Sequence, residues 1–270
     1  MSNVSGVAWA KFAILYAGAL FGAVAVLPYS LRLIEQSGLS ISPSRFLLLS
    51  LAQNAVLFAV VVALGLLAAR AVGLGAPYLE AALGGRAPDH PVKDMLMWSI
   101  GLGAAGGLFL LAFDLFLIPR LPALLDLARK TSLWENFTAS FYGGLNEELL
   151  FRLLGLSATA WLLSRVWASG GPTDTALWVA NMIMAVLFGL GHLPAARAVM
   201  GSITPLLVGR ALALNTPIAL ICGWLFWRFG IEAAIVAHFT ADLVYHVGGT
   251  LLLRANDRFG ILPWLPLPGP

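Results

Sequence analysis

The sequence predicts an all-α fold: a polytopic transmembrane helical bundle of about seven membrane helices, six to eight by count, with one interfacial amphipathic helix. Three observations carry this. The 270 residues are 60% hydrophobic and 11% charged, with mean hydropathy +0.88, far from the balance a soluble domain needs to cover its surface. Apolar runs of spanning length recur near 7–31, 46–69, 95–118, 137–163, 177–200, 204–229 and 231–253. None alternates as a barrel strand does. Backbone groups in hydrocarbon must be satisfied within their own segment, so the runs are helices.

Taken in order, the first run is too long for a signal-peptide core and lacks a small-residue cleavage site, so it is expected to stay as a span. A polar connection follows the second run. It contains Gly73, Gly75, Pro77, Gly84, Gly85, Pro88 and Pro91, which are turn and helix-stop residues, with a short helix expected over 78–83. Leucines at 121, 124, 125 and 127 beside Asp126, Arg129 and Lys130 predict the interfacial helix over 121–130. The tail 263–270 is proline-rich and expected to be irregular. The whole chain, 1–270, reads as a single transmembrane domain whose polar core occupies 137–253.

Charge narrows the classes of function. The net charge is +3, and the Lys and Arg residues fall mostly between apolar runs, so they are membrane anchors and not a nucleic-acid footprint. Cys222 is the only cysteine, which rules out a disulfide framework and a cysteine-built metal site. In a seven-span arrangement one side holds Arg32, Arg45, Arg120, Arg129, Lys130, Arg197, Arg254 and Arg258. The other holds Lys11, Arg70, Arg86, Lys93, Arg165 and Arg228. The slight excess places the first set and the C-terminus in the cytoplasm.

A charge at mid-membrane costs roughly 2.5–3.5 kcal/mol even on a lenient scale, so ionisable residues inside the apolar runs mark function. The fourth run carries Asn146, Glu147, Glu148 and Arg152 in GGLNEELLFRLLG. Glu148 and Arg152, four apart, pair along one helix face with the acid first. Glu147 points about 100° away and is left for another partner. The fifth run ends in LFGLGHLP, with Phe188 one turn before His192 and placed to support its ring. The seventh contains His238, Asp242 and His246 on one stripe, while Asp114 in the third run stands alone. With the fifth helix continued through Pro194, Glu147, His192 and His238 lie roughly 15, 12 and 20 Å below one membrane face, so ordinary tilts let them meet.

Glu147-Glu148-x-x-x-Arg152, Phe188-x-x-x-His192 and His238-x-x-x-Asp242, in that order on separate apolar helices, resemble the CPBP family of intramembrane proteases, which includes type II CAAX prenyl endopeptidases and Abi proteins linked to bacteriocin processing or self-immunity. The resemblance covers about 137–253. It implies a multi-pass protein of the bacterial plasma membrane whose site is reached from the cytoplasmic side. It also implies a peptide or protein substrate in or at the bilayer, prenylated or otherwise hydrophobic. Glu147 and His192 would activate water, and His238 with residue 242 would stabilise the oxyanion. Glu148, Arg152, Phe188 and His246 would support them.

The chemistry is reasonable: a carboxylate in a low-dielectric cavity becomes a better base, and donors aimed at an oxyanion gain strength where water is scarce. The chain departs from the commoner pattern in having Asp242 where Asn is frequent. An ionised Asp cannot donate, so Asp242 is either protonated or orients His238. Glu147, His192 and His238 would also suffice as ligands to a catalytic zinc, although no HExxH motif is present. The favoured reading needs no cofactor. A membrane scaffold or immunity factor without turnover and an ion-coupled transporter are the alternatives; transport predicts broken helices or repeated halves, and the polar motifs show no convincing duplication.

Overall fold

The computed structural model describes residues 2–38, 41–167 and 172–267. Among the described residues six helices are long and apolar enough to cross a membrane: α1 (Ser2–Ala25, apolar from Gly6), α3 (Pro43–Ala71), α5 (Val92–Leu117), α7 (Leu133–Trp167), α8 with its continuation α9 (Asp174–Gly191 and Leu193–Met200), and α10 (Pro205–Phe229). A seventh, α11, is as long, running continuously over 231–259. Its own Glu232, His238, Asp242 and His246 dilute its hydropathy. The described residues contain no strand. The outer face of α3 exposes Leu48, Val56, Val60, Leu64 and Leu67, as a helix facing acyl chains should.

Close approach between helices is built from small residues, since lipid gives apolar side chains little reason to prefer one another. Along α5, Ser99, Gly103 and Gly107 are buried one turn apart and face the buried Ala233, Ala234, Ala237 and Ala241 of α11. A Cβ on Gly103 would run into the carbonyl of Ala237, and one on Gly107 would stand 2.7 Å from that of Ala241. Asparagines clasp the other contacts. Asn146 donates to the Ala19 carbonyl of α1 at 2.9 Å, and Asn181 of α8 to the Leu220 carbonyl of α10 at 3.0 Å.

The two ends of the bundle differ. At one end the connection through α4 (Pro77–Ala82) is pinned: Ile231 N–H donates to the Gly75 carbonyl (2.9 Å), Leu79 N–H to Glu232 (2.8 Å), and Lys11 pairs with Glu80 at 2.6 Å. Gly230 joins α10 to α11 with φ +95°, a conformation glycine tolerates, against the ring of Pro77. At the other end lie three short amphipathic helices, α2 (Leu27–Ser37), α6 (Pro122–Lys130) and α9, in mutual contact. Only α6, the expected interfacial helix, has fully buried residues, Leu124, Leu125 and Leu127.

Two boundaries differ from the expected spans. The first was expected to run to residue 31, but the long helix stops at Ala25 and α2 begins at Leu27, because Pro28 removes a backbone donor and fits only the first turn of a new helix. Pro194 likewise sits in the first turn of α9, which breaks the fifth span at His192 while the chain continues to Met200.

Candidate active site

Glu147, His192, His238, Asp242 and His246 all line one cavity of about 400 Å³, beneath α2, α6 and α9. The first of these is delivered by α7, which starts at a reciprocal cap: Glu135 N–H donates to Ser132 Oγ (3.1 Å) and Ser132 N–H to Glu135 Oε2 (2.6 Å). The helix then widens into π-helical turns over Tyr142–Glu147 and Leu149–Leu156, on either side of Glu148. Such turns favour functional positions because they re-aim side chains within a continuous helix. Gly143 and Gly144 let this backbone come close to α11. A Cβ on Gly144 would be 3.0 Å from that of Phe239, and one on Gly143 would collide with the Asp242 carboxylate.

The adjacent acids take opposite environments. Glu148 is fully buried; its Oε1 accepts the Nδ1 proton of His238 at 2.6 Å and lies 3.1 Å from Arg152 Nη1. Arg152 Nη2 donates to the Ala219 carbonyl at 3.1 Å, and the guanidinium sits 4.8 Å over the Phe188 ring. That ring also meets His192 and His238 edge-on, at 4.8 and 5.6 Å between centroids. Glu147 instead opens to the cavity, with its side chain 24% exposed and Oε2 3.8 Å from His238 Nε2. Asp242 Oδ1 is 3.7 Å from the same nitrogen and 3.9 Å from His246 Nε2.

The ring of His238 is therefore oriented by Glu148, and Asp242 faces the opposite nitrogen. His192 stands at the α8–α9 junction, with Nδ1 2.9 Å from the Phe188 carbonyl. A carbonyl only accepts, so Nδ1 donates and Nε2 keeps its lone pair. Among the described residues His192 has no ion pair to a carboxylate. It shares the cavity wall with Glu147 and His238 without the close contact that Glu147, His238 and Asp242 make.

A zinc site needs three ligand atoms around one point and an open fourth position. Among the described residues Glu147, His192 and His238 do not converge in this way. The ligand atoms that do lie within 4.8 Å of one another belong to Glu148, Cys222 and His238. Of those three, Glu148 and Cys222 are sealed from the cavity, and the same Glu148 oxygen already serves Arg152 and His238. Neither trio fits an open catalytic metal.

A second charged cluster on the cavity wall escaped the sequence reading. Arg210 of α10 binds Asp114 of α5 in a two-pronged pair, Nε to Oδ1 at 2.6 Å and Nη2 to Oδ2 at 2.7 Å. Tyr245 OH donates to Asp114 Oδ2 (2.7 Å) and accepts from Arg210 Nη2 (3.1 Å). A signal was present: Asp114 is three residues from the end of α5 and Arg210 five from the start of α10, so a lone acid and a lone base share a depth.

Comparison with known families matches residues 129–244 to the model described as type II CAAX prenyl endopeptidase Rce1-like. The matched stretch includes Glu147, Glu148, Arg152, Phe188, His192, His238 and Asp242, and excludes α1 to α5. No curated protein and no solved structure matches the chain. Through residues 129–244 the chain is similar to this Rce1-like type II CAAX prenyl endopeptidase family, a match that supports its resemblance to the CPBP membrane proteases.

Proposed function

We propose that this membrane protein is an intramembrane endopeptidase that hydrolyses a peptide bond of a hydrophobic or prenylated, membrane-associated substrate, with water activated by Glu147 and His192. The observation that carries it is the division of labour between neighbouring acids: Glu148 is locked to Arg152 and His238, while Glu147 faces the cavity 3.8 Å from His238 Nε2. Glu147 takes a proton from water as the oxygen attacks the scissile carbonyl carbon. The resulting oxyanion accepts a hydrogen bond from His238 Nε2, which requires the imidazolium, since Nδ1 already carries the proton given to Glu148. When the C–N bond breaks, the proton held by Glu147 passes to the leaving amine, with the free Nε2 of His192 as relay. Asp242, across the same nitrogen, compensates the imidazolium charge. No metal is required. The site is reached from the cytoplasmic face of a bacterial plasma membrane, through the end covered by α2, α6 and α9.

The family match favours this over a scaffold or a transporter. The test is cleavage of a quenched fluorogenic peptide panel by detergent-purified protein. Glu147→Gln is expected to lower kcat/KM by about 10²–10⁴-fold, with His238→Ala and His192→Ala also impaired. Cleavage by Glu147→Gln at the wild-type rate would refute the assignment. Exhaustive chelation is expected to leave activity intact; loss restored specifically by zinc would replace this mechanism with a metal-dependent one.

A further inference from the structure

Hydrolysis at Glu147 gives the oxyanion one donor, His238 Nε2, and Asp242 Oδ1 stands 3.7 Å from that same nitrogen. The neutral donors of the cavity wall are mostly spent elsewhere. Thr131, Asn215 and Thr250 donate to the carbonyls of Leu127, Ala211 and His246 at 2.7, 2.8 and 2.9 Å. Asn136 donates to Thr250 Oγ1 and Tyr245 to Asp114 Oδ2, each at 2.7 Å. Among the described residues three hydroxyls of the wall have no hydrogen-bond partner: those of Tyr29 and Ser30, on the covering helix α2, and that of Tyr142, on α7. The Tyr142 hydroxyl is also not among the sealed, unpartnered atoms of the protein, whereas that of Tyr78 is.

Helix geometry brings Tyr142, of these three, to the reacting groups. In an α-helix residues five apart point about 140° away from each other. Tyr142–Glu147 is instead a π-helical turn, in which a residue bonds to the fifth beyond it, so Tyr142 comes round toward the face of Glu147 and both line the cavity. Between them Gly143 carries the backbone against α11, where a Cβ would be 3.3 Å from His238 Nε2. The Tyr142 ring meets the buried Phe58 of α3 edge-on, with centroids 6.5 Å apart, and this contact fixes the phenol against the bundle.

We infer that Tyr142 is a further catalytic residue, whose hydroxyl donates a hydrogen bond to the oxyanion beside that of His238 Nε2. This rests on the hydrolytic reading of the Glu147 site. A phenol suits the task because it is a neutral donor that needs no counter-ion where water is scarce. It keeps its proton throughout, so the transfer from water to Glu147 and on to the leaving amine is unchanged. The hydrogen bond strengthens as charge develops on the carbonyl oxygen, so its loss falls on the transition state and not on the bound peptide.

The test is Tyr142→Phe, which keeps the ring against Phe58 and removes only the hydroxyl. In the fluorogenic peptide assay it is expected to lower kcat by about 10²–10³-fold with KM little changed. A second readout is the equilibrium binding of two uncleavable peptides of one sequence, in which the scissile amide is replaced by a tetrahedral, anionic phosphinate or by a planar ketomethylene. The wild type is expected to hold the phosphinate at least about 10²-fold more tightly, and Tyr142→Phe to lose about 10-fold or more of that preference. Being a ratio within one protein, the preference needs no turnover and does not depend on how much of the variant folds. If Tyr142→Phe cannot be purified, a fluorinated, more acidic tyrosine at position 142 takes its place; it should move the alkaline loss of kcat to lower pH, because a phenolate cannot donate. Wild-type kcat or an undiminished phosphinate preference in Tyr142→Phe, or an unmoved pH profile with the fluorinated residue, would overturn the inference. Glu147-dependent cleavage that ignores the Tyr142 hydroxyl sinks this inference alone, whereas cleavage indifferent to Glu147 sinks the hydrolytic reading.

Discussion

Two arginine–carboxylate pairs lie inside this helix bundle, and they differ in what each leaves unsatisfied. Glu148–Arg152 is formed within one helix, has side chains 0% and 3% exposed, and spends its carboxylate on holding His238. Asp114–Arg210 joins two helices, at 6% and 16% exposure, on the wall of the cavity, and among the described residues Arg210 Nη1 has no hydrogen-bond partner. Since a buried ion pair is weak evidence for stability by itself, the difference in exposure is the informative part. The sealed pair sets the geometry of the reacting groups, and the open pair is available to whatever occupies the cavity.

The largest expected effect tests that distinction directly. Arg152→Met leaves the fully buried Glu148 carboxylate with His238 as its one remaining charge partner, so unfolding in mixed micelles should show a loss of about 3–5 kcal/mol. Much of this should return in the double variant Glu148→Leu with Arg152→Met, because both charges are then gone. Arg210→Met leaves Asp114 with the Tyr245 hydroxyl and with water from the cavity, and should cost only about 1.5–3 kcal/mol. Equal losses for Arg152→Met and Arg210→Met would remove the basis for treating the pairs differently.

Next in size is Gly143→Ala, which acts on the open side of His238 alone. The added methyl would collide with the Asp242 carboxylate and stand 3.3 Å from His238 Nε2. Displacing that nitrogen by about 1 Å should lower kcat by about 10²-fold. Overpacking should cost stability about 1–3 kcal/mol. A variant with wild-type kcat in the peptide assay would show that the Glu147–His238–Asp242 spacing is not what sets the rate.

These residues also mark how far the sequence is legible. The spans, the α6 surface helix and the Glu148–Arg152 pair follow from apolar run length and i,i+4 spacing, both local properties of one helix. The His238–Glu148 contact does not, because it depends on how α7 and α11 are rotated against each other and on π-helical turns that no propensity announces. The same reason hid the Asp114–Arg210–Tyr245 cluster, whose three members come from three helices. Pro28 and Pro194 carried the helix breaks in plain view, yet an apolar run continues through both, and run length outweighed the proline. The separation of α2 and α9 from the spans, and so the cover over the cavity, was lost with it.

That cover supplies the smallest expected effect. Gln36 of α2 donates to Asp126 of α6 at 2.7 Å, and Lys130 pairs with the same Asp126 oxygen at 2.7 Å. Lys130 first, then Gln36, holds the Asp126 carboxyl below the usual carboxylate range. A depressed value means that the tie between α2 and α6 is fully present above the ordinary carboxylate pKa and is lost as pH falls through the lowered one. Because Asp126 is 45% exposed, solvent screens the pair and the change is small. Hydrogen exchange of α2 amides, corrected for intrinsic rate, should quicken by no more than a few-fold in Asp126→Ala at neutral pH. Acidifying the wild type should produce at least this increase, because protonation of Glu135 also releases Arg32 of α2. An α2 that exchanges identically in the variant and the wild type at neutral pH would mean that the cover is held by its other contacts, among them Arg32 of α2 with Glu135 of α7 at 3.2 Å, and not by this charge.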